Sequence, residues 1–204
     1  MPQVQPPVAP DPGRVSARSL YLLAQICIFL KQHRRAVQVL EALLRENPDH
    51  PRALRNVGFL YAEKDRYADA IAAFERALAL SAEDAATLFN LGFALQKVGR
   101  HEEAISRLSR AVELNPALDR AWYGLGLSLI HCGRFQEAIV RLTEAARLQP
   151  LNPYPRYQLG AAWFKLGEPE KVRAEYRKVK SFDPKIAAHM RADFGVPRDG
   201  DEVD

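Results

Sequence analysis

Gly58, Gly92, Gly126 and Gly160 stand 34 residues apart. Glycine inside a helical stretch costs about 1 kcal/mol against alanine. Four of them on one beat are not accidents of composition, so the chain reads as a tandem array of 34-residue units. One unit before Gly58 stands Ala24, also small. A second small series runs Ala36, Ala70, Ala104, Ala138 and then Val172. Prolines keep the same interval at Pro48, Pro116, Pro150 and Pro184, and only Ala82 misses. The frame divides into 17–50, 51–84, 85–118, 119–152 and 153–186.

Apolar residues within a unit keep helical spacing. Leu88, Leu91 and Leu95 share one face, and after "VGR" at 98–100 a second stripe runs through Ala104, Leu108 and Ala111. Gly99, Gly133 and Gly167 punctuate the middles of three units, and the prolines stop the second helix. Each unit is helix–turn–helix. The expected role of the glycine is to face the alanine of the second helix, so that the two backbones approach closely. A lone hairpin leaves an apolar face uncovered, so neighbours must stack. The fold class is all-α, a right-handed α-solenoid.

These units resemble tetratricopeptide repeats, whose pattern is a large apolar residue, Leu-Gly, an aromatic, then Ala, Phe, Ala and Pro. Leu54, Gly58, Tyr61, Ala70, Phe74 and Ala77 fit it, as do Trp122, Leu125, Gly126, Ala138, Leu142, Ala145 and Pro150. The third unit has Leu88 and Leu108 in place of the aromatics. The end units depart more, with Ala24 for the glycine, Arg156 for the large apolar residue and Val172 for the alanine. The resemblance covers 17–186 and implies a fold and a mode of binding, not a partner.

The ends read differently. Residues 1–16 form a lead with five prolines, too poor in buriable surface to offset ordering. It lacks the basic start and apolar run of a secretion signal. Residues 187–204 are assigned to a short capping helix, entered after Pro184 so that Ile186 and Met190 face inward, and then an acidic tail. Removing Asp199, Asp201, Glu202 and Asp204 leaves 29 basic against 21 acidic residues, a body of +8. That balance points to acidic partners. The tail's "DEVD" resembles the EEVD end of cytosolic heat-shock chaperones, which some tetratricopeptide proteins clamp. Here Arg55, Asn90 and Arg120 match clamp positions, while Phe59 and Gly124 do not.

No catalytic set emerges. His101-Glu102-Glu103 lacks the second histidine of a zinc protease, since Ile105 stands there. Gly124 and Gly126 lack the third glycine and the strand of a dinucleotide loop. The expectation is a non-enzyme with no cofactor and no metal. Cys27 and Cys132 match no metal spacing and suit a reducing, cytoplasmic setting. No apolar run is long enough to span a bilayer.

In this family the first helix of each unit lines the concave side. The resemblance thus places Arg52, Arg55, Asn56, Phe89, Asn90, Phe93, Arg120, Tyr123, Tyr157 and Gln158 in a groove. Nine of the chain's 18 aromatics and six cations fall on that face, against one acid, Glu63. Aromatic and arginine enrichment is the mark of binding hot spots. Asn56 and Asn90 share one offset, with Gln158 two units later. A primary amide both donates and accepts, so such a ladder can hold the backbone of an extended peptide. The leading reading is a protein-interaction scaffold or chaperone-like adaptor, whose basic-aromatic groove takes a peptide or helix, acidic in part, of a partner protein. A self-assembling homo-oligomeric scaffold, a tetratricopeptide-type secretion chaperone and a single-stranded nucleic-acid binder stay open as alternatives.

Overall fold

A computed structural model describes residues 16–81 and 83–196; the proline-rich lead up to residue 15 and the acidic tail from 197 lie outside the described residues. The described residues form eleven helices and no strand. They are α1 (Ala17–Phe29), α2 (His33–Glu46), α3 (Pro51–Ala62), α4 (Tyr67–Leu80), α5 (Ala85–Lys97), α6 (His101–Leu114), α7 (Asp119–His131), α8 (Phe135–Leu148), α9 (Pro153–Lys165), α10 (Pro169–Lys180) and α11 (Pro184–Phe194).

Local chemistry explains where they start and stop. Ser16, His50, Asp84, Asn152 and Asp183 each cap a helix by accepting a backbone N–H, satisfying donors that the first turn leaves open. Pro51, Pro153 and Pro184 sit in the first turn, where a missing N–H costs nothing. Inside each hairpin the chain reverses through one residue with positive φ: Lys31 (55°), Asp65 (57°), Gly99 (77°), Gly133 (73°) and Gly167 (73°). These five positions are also 34 apart. Three use glycine, which takes this conformation without strain. Asp65 accepts a hydrogen bond from the Tyr67 hydroxyl at 2.6 Å.

The helical glycines act differently from the expectation. A Cβ on Gly92 would lie 2.6 Å from Leu108 Cγ, one on Gly58 2.8 Å from Phe74, and one on Gly126 2.5 Å from Leu142. The glycine therefore does not face the small alanine. It receives the large residue four positions later, and Phe74, Leu108 and Leu142 are fully buried as a result. In the first unit Ala24 and Leu40 occupy these two positions, both at 0% exposure. Gly160 is the exception. Its nearest neighbours are Met190 and Phe194 of α11, not a residue of α10.

Each helix packs mainly on its neighbours in sequence, so the hairpins stack in a row as a solenoid does. α3, α5, α7 and α9 also touch one another in turn, and α9 touches α11. No contact of that extent joins successive even helices among the described residues. The odd helices thus form the inner row. α11 lies on α9 and α10, with Met190 and Ala187 buried and Ile186 half-buried.

Candidate functional site

The inner row carries a hollow of about 520 Å3 across α3, α5 and α7. Phe59, Phe89, Phe93, Tyr123 and Leu127 supply its apolar wall, with Asn90 between them. Phe59 and Phe93 are 43% and 40% exposed, so both rings offer surface to a ligand. The Lys97 ammonium stands 5.3 Å over the Phe93 ring, within cation–π range. Arg120 and Lys97 lie on the rim with Glu63 and Asp65. The central hollow is therefore of mixed charge, where the sequence suggested a basic groove. Asp65 and Tyr67 come from the turn and from α4, so the first helices alone do not complete the wall.

Five of the ten residues singled out from the sequence meet in this hollow: Phe89, Asn90, Phe93, Arg120 and Tyr123. Asn90 has no side-chain hydrogen bond to the described residues. Its counterpart Asn56 donates to the Tyr21 hydroxyl at 3.3 Å. Arg55 is not a free cation, because its guanidinium pairs with Asp84 at 2.8 Å. Burial alone would raise the Asp84 carboxyl. Hydrogen bonds from Thr87, Arg55 and the Ala86 N–H outweigh it and hold the group below its usual range.

Arg52 lies away from the hollow, in a shallower recess with Arg18, Tyr21, Asp49 and His50. Burial pushes the Tyr123 phenol above its usual range, against the opposing effect of the neighbouring Gln158 amide. Tyr157 is engaged by α11. Its hydroxyl donates to Asp193 at 2.5 Å, and that bond pushes its pKa up to about 12. Of the two asparagines of the expected ladder, Asn56 is engaged by Tyr21 and Asn90 stays open. At the level of Gly124, where no amide side chain projects, Gln96 donates to the Gly124 carbonyl and to Ser128 Oγ, both at 2.7 Å.

No group of three or more metal-ligating side chains is present among the described residues. Burial and Glu102 raise the Cys132 thiol, which disfavours the reactive thiolate. Among the described residues no helix is long and apolar enough to cross a membrane.

Two family models match the chain. One is described as tetratricopeptide repeat, over residues 23–88. The other is anaphase-promoting complex, cyclosome, subunit 3, over residues 63–145. With five stacked 34-residue hairpins, they decide the family. The chain is a tetratricopeptide repeat protein.

Several solved structures share this fold. YrrB, described as a TPR protein with an unusual peptide-binding site, is 24% identical with a TM-score of 0.80, covering 87% of this chain and 92% of its own. A MamA structure is 19% identical with a TM-score of 0.77, covering 90% of this chain and 97% of its own. MamA from Desulfovibrio magneticus RS-1 is 22% identical with a TM-score of 0.77, covering 82% of this chain and 95% of its own. These likenesses concern the fold. No curated protein matches the sequence.

Proposed function

We propose that this tetratricopeptide repeat protein is an interaction scaffold that holds a peptide or helix of a partner protein on its inner row. The observation that carries this reading is the hollow of α3, α5 and α7, where half-exposed aromatic rings surround the unpartnered amide of Asn90. Apolar rings can seat one or two anchor side chains of a ligand. The Asn90 amide can meet its backbone, and Arg120 and Lys97 can meet a carboxylate beside the anchor. YrrB, with its peptide-binding site, is a precedent for ligand capture on this fold. The mixed charge of Glu63, Asp65, Lys97 and Arg120 favours a peptide over a polyanion. Two free thiols, one of them buried, suit a reducing compartment such as the cytoplasm.

A displayed library of random peptides, selected on the full chain, tests the reading. Truncating an interfacial anchor typically costs 1–2 kcal/mol or more. Asn90→Ala with Phe93→Ala should therefore weaken the selected peptides at least about tenfold, while the helical melt stays in place. Selected peptides that bind the double variant with full affinity would place the binding surface elsewhere.

A further inference from the structure

α1 breaks the pattern of the other first helices. Leu23 is 37% exposed, whereas its counterparts Val57, Leu91, Leu125 and Leu159 are all at 3% or less. Ile26 is 47% exposed, whereas Leu60, Ala94, Ser128 and Ala162 are at 0%. In those four units the second helix of the preceding hairpin packs on the first helix: α2 on α3, α4 on α5, α6 on α7, α8 on α9. α1 has no such helix before it among the described residues.

The surface is also wider than a bare repeat end requires. Phe29 is 85% exposed and stands where the other units carry Glu63, Lys97, His131 and Lys165. Leu22, 60% exposed, stands where they carry Asn56, Asn90, Gly124 and Gln158. Leu30 is 55% exposed. At about 100° per residue, these five side chains lie within an arc of roughly 120°. A terminal repeat ordinarily turns a polar face to water. Here polar positions have become apolar, and the arc matches the stripe that a helix buries against another helix.

We propose that this face of α1 is the contact between two copies of the chain, related by a two-fold axis, with α1 against α1. A helix is what covers the same register elsewhere in the molecule. Residues 1–15, with prolines at 2, 6, 7, 10 and 12, are poorly suited to supply one. The opposite end of the solenoid does not complement α1. The outward residues of α11 include Lys185 and His189, so a head-to-tail chain would set Ile26 and Phe29 against polar and charged side chains. The face complements itself. Its helix carries one charged residue, Arg18, and an antiparallel pairing keeps the two copies of Arg18 at opposite ends. With roughly 200 Å2 to a large side chain, the five leave about 500 Å2 open on each chain. Two copies together then reach the ~1,000 Å2 that a specific interface needs. The contact leaves the hollow of α3, α5 and α7 open, so it is independent of peptide capture.

Sedimentation equilibrium of the full chain, between roughly 1 and 100 μM, covers the range in which an interface of this size assembles. The expected result is a monomer–dimer equilibrium with no larger species. Ile26→Glu with Phe29→Glu should weaken dimerisation at least a hundredfold, while the thermal midpoint matches that of wild type at concentrations too low for either to associate, because both side chains are exposed in one chain. Removing residues 1–15 should leave the dimer intact. A wild type that is monomeric throughout would overturn the proposal and leave a foreign helix as the occupant. So would growth beyond two copies, unchanged association of the double variant, or a dimer seen only after residues 1–15 are removed.

Discussion

Two residues show how single side chains set this structure. Gly92 exists to admit Leu108, and a Cβ there would already collide with it at 2.6 Å. Gly92→Leu should cost about 3 kcal/mol through overpacking, read as a lowered urea midpoint. An unchanged midpoint would contradict the packing described. Asp84 joins two repeats, because it caps α5 and accepts the guanidinium of Arg55 from α3. Asp84→Ala should cost about 1–2 kcal/mol, the usual effect of losing a cap. The sign of its pH dependence follows from the depressed carboxyl. The contribution is present above the ordinary carboxylate value of 3.8 and is lost as pH falls through the lower folded-state value. The gap between wild type and Asp84→Ala in urea melts should therefore narrow on acidification below about pH 4, and a constant gap would contradict the assignment.

At the scale of elements, the hairpin turn and α11 carry the information. All five turns use a positive φ, but Lys31 has no local hydrogen bond of the kind that relieves Asp65. Lys31→Gly should stabilise the first hairpin by about 1 kcal/mol, visible as a raised thermal midpoint. α11 fills the space over Gly160 with Met190 and holds Tyr157 through Asp193. The raised Tyr157 pKa means that this bond contributes fully below pH 10 and is lost as pH rises through about 12. Tyr157→Phe should speed hydrogen exchange in α11 at pH 7, and its stability deficit should vanish toward pH 12. Exchange as slow as in wild type would mean that apolar packing alone secures the helix. The unit length, the helix pairs and the turn glycines were legible in the sequence because each is a local property repeated at one interval. Side-chain partners were not. Arg55–Asp84 and Tyr21–Asn56 join residues 29 and 35 apart, and which groups meet depends on how helices cross. The same limit applies to Gly92, whose spacing pairs it with Ala104 while its real neighbour is Leu108, and to Asp65 and Tyr67, whose place at the hollow depends on how α4 crosses α5.

At the scale of the whole molecule, contacts between neighbours alone build the stack, and the odd helices form its inner row. That arrangement brings together residues from three repeats that no single hairpin could assemble. It explains why Phe59, Asn90 and Tyr123 share one hollow although they lie one repeat apart in sequence. We propose that a partner segment binds there. Hydrogen exchange of the full chain, with and without a saturating selected peptide, tests it most directly. Added protection is expected in α3, α5, α7 and the part of α4 that lines the hollow, with α2, α6 and α8 unchanged. Protection confined to the even helices, or to α1 alone, would contradict it.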